Sequence, residues 1–201
     1  MHRLLEESQR IKSQADRILK ESGIIEILKN YGEVKIGGSY ALDVMLRPDI
    51  DLFVVTKKHD WTKVLDIQSK VVQLKYFREF DFVNWVDFED QSLTLMEGYY
   101  FQTWVPVENQ LWKIDIWLIT PEYDKSVETT EHFKKLLAET DESKKIAILE
   151  IKDAMKQGKK YIKNVDGKMI YEAVLENDIS SLEGFEEFLR VSQKIVKSHG
   201  K

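Results

Sequence analysis

The chain has 201 residues, 43% of them apolar and 32% charged, the make-up of an ordinary soluble globular protein large enough to bury a core. Its formal net charge of -5 argues against a nucleic-acid footprint spread over the whole chain, although a local basic groove is compatible with a negative total. There is no cysteine, which excludes disulfides, thiolate metal sites and a cysteine nucleophile; no run is apolar enough for a membrane span and the first residues lack a signal-peptide core, so a cytoplasmic protein is expected.

Leu4 to about Lys29 reads as helix, with Leu4, Leu5, Ile11, Ala15, Ile18 and Leu19 at helical spacing and Gly23 as an interruption. Tyr31-Gly32 then turns the chain into a short strand, Val34-Lys35-Ile36, which runs into Gly37, Gly38 and Ser39. Tyr40 to Leu46 again spaces its apolar residues by three and four, so the glycines and serine are read as opening a helix. Free backbone N–H groups, a hydroxyl and the positive end of a helix dipole would together suit a phosphate. Pro48 stops that helix, and Asp49 to Val55 alternates as a strand with Asp49 and Asp51 on one face and Ile50, Leu52 and Val54 on the other.

Trp61 to Leu74 is expected to be helical. The next residues read as strands, Phe80–Val86, Ser92–Met96, Tyr99–Val107 and Leu111–Ile119, with Glu108-Asn109-Gln110 as the hairpin joining the last two. In the last strand Asp115 points away from Ile114, Ile116 and Leu118. Beyond Pro121 the chain is helical and charge-rich: Lys125–Glu139, Glu142–Tyr161, a loop over Lys163–Lys168, Met169–Glu176, and Leu182 to about Lys197 with Ser180 or Ser181 as N-cap. The fold class expected is α+β, a mixed β-sheet flanked by helices, divided into a catalytic domain over 1–121 and an α-helical region over 122–201.

Two carboxylates on one strand face beside an anion-binding turn, with a third on a later strand, have the make-up of a metal-and-triphosphate site. From about Val34 to Thr120 the sequence resembles the nucleotidyltransferase superfamily of the polymerase-β type. That family's signature is a Gly-Gly or Gly-Ser pair, a gap of roughly ten residues, Asp-x-Asp, and a lone Asp on a later strand. The resemblance implies that Asp49, Asp51 and Asp115 are catalytic and hold two Mg2+ ions, and that Ser39 and the Gly37-Gly38 backbone seat the outer phosphates of ATP or another nucleoside triphosphate. Asp115 would serve the ion nearer the acceptor. Family members often grip the triphosphate with a lysine from a downstream helix; Lys152, Lys156, Lys159 and Lys160 share one helix here, and Lys152 is the first choice.

The plain readings stand beside these. Paired acids on a strand face are often only solvated, and Asp115 has an alternative as the partner of Lys113, two residues away on the same face. Each lysine of the long helix has acidic neighbours, Glu150 or Asp153 among them. Tyr161 and Tyr171 are candidates for stacking a base, with core or rim as the alternative. The four histidines lack metal-ligand spacing and read as surface residues. Trp85, Trp104, Trp112 and Trp117 sit on strands and read as core, with Trp104, Trp112 or Trp117 as possible lining for an acceptor pocket.

The function expected is Mg2+-dependent transfer of a nucleoside monophosphate, AMP from ATP in its concrete form, to a hydroxyl of a small-molecule acceptor, with pyrophosphate released. Nucleic acid and membrane are not expected partners. Two alternatives remain: a protein-modifying AMP transferase of the toxin–antitoxin kind, and a catalytically silent nucleotide-binding scaffold, whose mark would be the loss of one of the three acids.

Overall fold

A computed structural model describes residues 2–74, 76–88, 97–123, 125–156 and 165–199. Helix α1 runs over Arg3–Ser22 and presents Leu4, Leu5, Ile11, Ala15, Ile18 and Leu19 to the interior. Gly23, at φ +70°, ends α1 in the left-handed region and lets the chain restart as α2 (Ile24–Leu28). The remaining elements are β1 (Glu33–Ile36), α3 (Gly38–Ala41), β2 (Asp49–Val55), α4 (Trp61–Gln73), β3 (Glu79–Asn84), β4 (Tyr99–Val107) and β5 (Gln110–Ile119). After a 3-10 turn at Pro121–Tyr123 come α5 (Lys125–Ala138), α6 (Glu142–Lys156), α7 (Gly167–Tyr171), a π-helical turn over Glu172–Glu176 and α8 (Leu182–His199).

The strands pair in the order β1-β2-β5-β4-β3, antiparallel throughout except for β2 beside β5. A parallel pair needs a long crossover, and α4, β3 and β4 lie within this one. One face of the sheet, carrying Ile50, Leu52, Val54, Ile114, Ile116, Leu118, Phe101 and Val105, is buried against α1, α2 and α4. A second apolar cluster joins Leu4 and Leu5 of α1 to Leu42, Val44 and Leu46, and to Phe133, Leu137, Ile148, Ile151, Ile170, Phe185 and Leu189 of the later helices. Helix α1 thus belongs to both cores. The mixed sheet with flanking helices is the α+β architecture expected.

The expected helix over Tyr40–Leu46 is a single turn: α3 stops at Ala41, and Asp43 takes φ +56°. Val44, Met45 and Leu46 are buried, but in irregular backbone, and their apolar spacing serves the tertiary core rather than a helix. The carbonyls a helix would have satisfied take side-chain donors, Tyr40 O in addition to the Asp43 N–H. Lys12 donates to Tyr40 O (3.3 Å), Ser8 to Asp43 O (3.2 Å) and Lys152 to Val44 O (2.7 Å), while Lys12 and Lys145 both pair with the Asp43 carboxylate.

Smaller differences have local causes. Helix α7 starts at Gly167, inside the expected loop, because the Asp166 carboxylate caps Met169 N. Ser181, of the two expected caps, accepts from Gly184 N at 3.1 Å. Gln110 belongs to β5, leaving a two-residue hairpin in which Glu108 takes φ +55°. The expected strand Ser92–Met96, and Lys159, Lys160 and Tyr161 at the end of the expected long helix, lie outside the described residues. No helix among the described residues is long and apolar enough to cross a membrane.

Candidate active site

Strand β2 is an interior strand, flanked by β1 and β5, with Ile50, Leu52 and Val54 on its buried face and Asp49 and Asp51 on the other. Parallel pairing with β5 sets Asp51 level with Asp115 and Asp49 level with Lys113. Side chains level with each other on neighbouring strands share a face, so Asp49, Asp51, Lys113 and Asp115 gather on the face away from the α1–α4 core. One oxygen from each of Asp49, Asp51 and Asp115 lies within 4.8 Å of the others. Of the catalytic residues expected from the sequence, all three are therefore brought together.

Gly38, at φ +60°, passes hard against this cluster, and a Cβ built on it would lie 1.8 Å from Asp51 Oδ2. Gly37 N donates to Asp51 O at 2.9 Å, clamping the turn to β2. Gly37 itself packs over Phe53, whose ring a Cβ would meet at 2.6 Å. The two glycines thus first serve to let the turn approach β2. Gly38 and Ser39 line the cleft described next, and Gly37 lies outside its lining.

The cleft, of about 470 Å³, runs between the acidic sheet face and the later helices. Its walls include Gly38, Ser39, Asp49 and Asp51 on one side and Thr130, Phe133, Lys152, Asp166, Lys168 and Tyr171 on the other. Lys152 comes from α6, and its Nζ lies 3.4 Å from the Tyr171 hydroxyl and 5.6 Å from the centre of that ring. Tyr171 is almost wholly buried beneath the cleft. Burial and then the Arg47 guanidinium push the Lys152 pKa down to about 8, against the pull of Asp51 and Asp49.

The carboxylates are unevenly satisfied. Asp115 is nearly covered: Tyr100 donates to Oδ1 at 2.8 Å, Gln102 to the same oxygen at 3.3 Å, and Lys113 to Oδ2 at 2.7 Å. Gln102 also donates to the Tyr100 hydroxyl at 2.8 Å. Asp49 Oδ1 is buried without a well-formed hydrogen bond, the nearest cation being Lys113 Nζ at 3.3 Å. Asp51 is pushed up to about 7, first by burial and then by the charges of Asp49 and Asp115. Burial also raises Asp49, with Asp115 adding to it and Lys113 opposing. A buried acceptor without a well-formed hydrogen bond, amid clustered acids that resist ionising together, suits a hard divalent cation such as Mg2+, which takes carboxylate oxygens. Asp49, Asp51 and Asp115 are the residues that would hold it.

Sequence reasoning passed over Tyr100, Gln102 and Arg47, and paired Lys113 with Asp115 but not with Asp49. The period-two pattern of β4 puts Tyr100 and Gln102 on one face, but only the β4–β5 register, Gln102 opposite Asp115, brings them to the acid. Trp112 is core, whereas Trp104 and Trp117 are partly exposed on the acidic face, the Trp117 ring 4.8 Å from that of Tyr100. The expected exposed partnership of Asp115 with Lys113 is half present: the pair exists, but Asp115 is buried.

No protein-family model and no curated protein matches this sequence. Solved structures do match the fold. Cid1 poly(U) polymerase, in a Mg and 3'-dATP bound structure, aligns at TM-score 0.56 and 15% identity over 83% of this chain and 49% of its own. A cytoplasmic RNA terminal U-transferase aligns at TM-score 0.55 and 16% identity over 86% and 52%. The GLD-2/RNP-8 complex aligns at TM-score 0.52 and 12% identity over 85% and 58%. The chain therefore shares its fold with these polymerases and transferases, and spans about half the length of the structures it matches.

Proposed function

We propose that this protein is a Mg2+-dependent nucleotidyltransferase that moves a nucleoside monophosphate from a nucleoside triphosphate to an acceptor hydroxyl and releases pyrophosphate. The observation that carries this is the Asp49–Asp51–Asp115 cluster at the rim of a cleft lined by Gly38, Ser39 and Lys152. Bound there, Mg2+ would supply charge neutralisation at the entering and leaving oxygens. The chain's own residues do the positioning: Gly38 and Ser39 meet the outer phosphates, and Lys152 balances their charge. Asp115, held by Tyr100 and Gln102, faces the open sheet where the acceptor arrives. Residues 1–121 form the catalytic half in this reading and 122–201 the half that closes the cleft. ATP is the first nucleotide to test, and a cysteine-free chain fits a cytoplasmic setting.

For the acceptor, an RNA end leads over the small molecule expected from the sequence, because one of the similar structures is named an RNA terminal U-transferase and another a poly(U) polymerase. Tyr100, Trp104 and Trp117 on the sheet face support stacking of bases. A small-molecule acceptor keeps its own support. Glu79 lies opposite Trp104 and Asp81 opposite Gln102, so the far end of that face is acidic and would repel a phosphate backbone.

The test is incubation with Mg2+ and each α-labelled nucleoside triphosphate, with a single-stranded RNA oligonucleotide in one arm and a small-metabolite extract in the other. Label on the RNA supports the first acceptor and label on a small molecule the second. Wild-type enzyme giving neither would overturn nucleotidyl transfer to these classes. Asp115→Asn is expected to cut transfer by about 10²–10³-fold, as for a group stabilising developing charge, while nucleotide affinity stays within several-fold. Full activity in that variant would return Asp115 to a structural partner of Lys113.

Lys152 has a pH signature. With its pKa near 8, it is charged at pH 7 and largely neutral at pH 9. The Lys152 contribution to triphosphate affinity is therefore expected to be level below pH 8 and to fall above it, by up to about tenfold per unit. Lys152→Met should bind more weakly below pH 8, lack this fall, and be approached by wild type as the pH rises above it. An identical pH profile in the variant, measured by titration calorimetry, would remove Lys152 from the phosphate site.

A further inference from the structure

Lys113 stands on β5 with Asp49 level with it on β2 and Trp104 level with it on β4. Its ammonium nitrogen lies 2.7 Å from Asp115 Oδ2 and 3.3 Å from Asp49 Oδ1. These carboxylates belong to the three-acid cluster, and Asp49 Oδ1 is its one oxygen that is buried without a well-formed hydrogen bond. An ammonium at these distances and a divalent cation about 2.1 Å from the same oxygens would be two positive centres in nearly one position.

We propose that Lys113 is a tethered counter-cation that competes with the catalytic metal for Asp49 and Asp115, holding the acids together without metal and swinging aside when metal enters. This rests on the proposed metal site. A permanent surface pair would be indifferent to metal, being worth little and free to exchange with water. Lys113 is instead part-buried, wedged between two acids on different strands, and its four-carbon stem lets the ammonium move without disturbing β5. The consequences are opposite in sign for two quantities. Removing the ammonium strips a competitor and so tightens metal binding. It also leaves clustered carboxylates with no cation between them, so the metal-free fold weakens.

The experiment uses the full chain without nucleotide or acceptor, so that its readout is independent of turnover. Mn2+ serves as the probe, titrated by electron paramagnetic resonance at pH 8, with thermal melts in EDTA and in millimolar Mg2+. Lys113→Met is expected to bind Mn2+ roughly tenfold more tightly, as loss of a charge competing for the same ligands would give. It should melt lower than wild type in EDTA and gain more from Mg2+. Lys113→Arg, which keeps the charge, should stay close to wild type in Mn2+ affinity. Metal bound equally or more weakly by Lys113→Met would overturn the competition while leaving the metal site intact. Absence of Mn2+ binding in wild type and Lys113→Met alike would overturn both the competition and the function proposed above. Should Lys113→Met fail to fold, Lys113→Gln takes its place; tightening in neither neutral variant decides against the proposal.

Discussion

Asp51→Asn is expected to melt above the wild type in EDTA at pH 8, and to lose most of the rise in melting temperature that Mg2+ gives the wild type. Burial, and then Asp49 and Asp115, push Asp51 up to about 7, whereas an unfolded aspartate titrates near ~3.9. The folded state therefore holds this proton longer than the unfolded state does. The stability linked to it is fully present below the unfolded value and is lost as pH rises through the folded one. A displacement of about three units sets a ceiling of about 4 kcal/mol on the cost of ionising Asp51. An asparagine recovering about half of that would melt roughly 4–8 °C higher. Below about pH 4, where Asp51 is neutral in the folded and unfolded states alike, the two proteins should melt alike, and by pH 5 roughly a third of the difference should already have opened. Asp49→Asn should gain less, since it also takes away a partner of Lys113. Ion binding reverses the order in Mg2+, because only the full acid set binds it well; saturation at a hundred times the dissociation constant adds about 2.7 kcal/mol. An Asp51→Asn protein melting well below wild type in EDTA at pH 8 would make Asp51 a structural acceptor, and the metal site would lose its centre.

Gly38→Ala should cost more than its single methyl suggests, and the loss should fall on metal binding. At φ +60° any side chain adds strain of ~1 kcal/mol. The new Cβ would also fall 1.8 Å from Asp51 Oδ2, inside any non-bonded distance, so the turn or the carboxylate must move. The expected result is a loss of Mg2+ affinity of tenfold or more, by titration calorimetry, with only a modest drop in melting temperature. Gly38→Val should be worse, weakening triphosphate binding as well. Ser39→Ala is the control, since it removes one hydroxyl worth about 0.5–1.5 kcal/mol and leaves the turn as it is. If Gly38→Ala binds Mg2+ as wild type does, the turn is not built around Asp51.

Much of the site was legible in the sequence because its geometry is local. Alternation along a strand has a period of two, so Asp49 and Asp51 had to share a face, as did Lys113 and Asp115, whatever the rest of the chain did. The strand bounds at Asp49–Val55 and Tyr99–Val107, the break at Gly23 and the helices on either side of Asp141 follow from equally local signals. So does the presence of three acids in an order that makes a metal site worth proposing. Register is another matter, because it is a relation between segments far apart in the chain. Only the parallel β2–β5 pairing made Asp51 the neighbour of Asp115, and only the β4–β5 pairing gave Asp115 to Tyr100 and Gln102. The role of Gly38 changed for the same reason: its backbone looked like a phosphate cradle, and the close approach it permits is first of all to Asp51. The segment after Ala41 shows a local preference overruled. Its apolar spacing is helical, yet burying Val44, Met45 and Leu46 in two cores, with Ser8, Lys12 and Lys152 meeting the freed carbonyls, outweighs the few hydrogen bonds a short helix would have made. The residues that bear charge chemistry were thus set by the sequence, while their partners and their ionisation were decided by burial and distance, which exist only once the chain has folded.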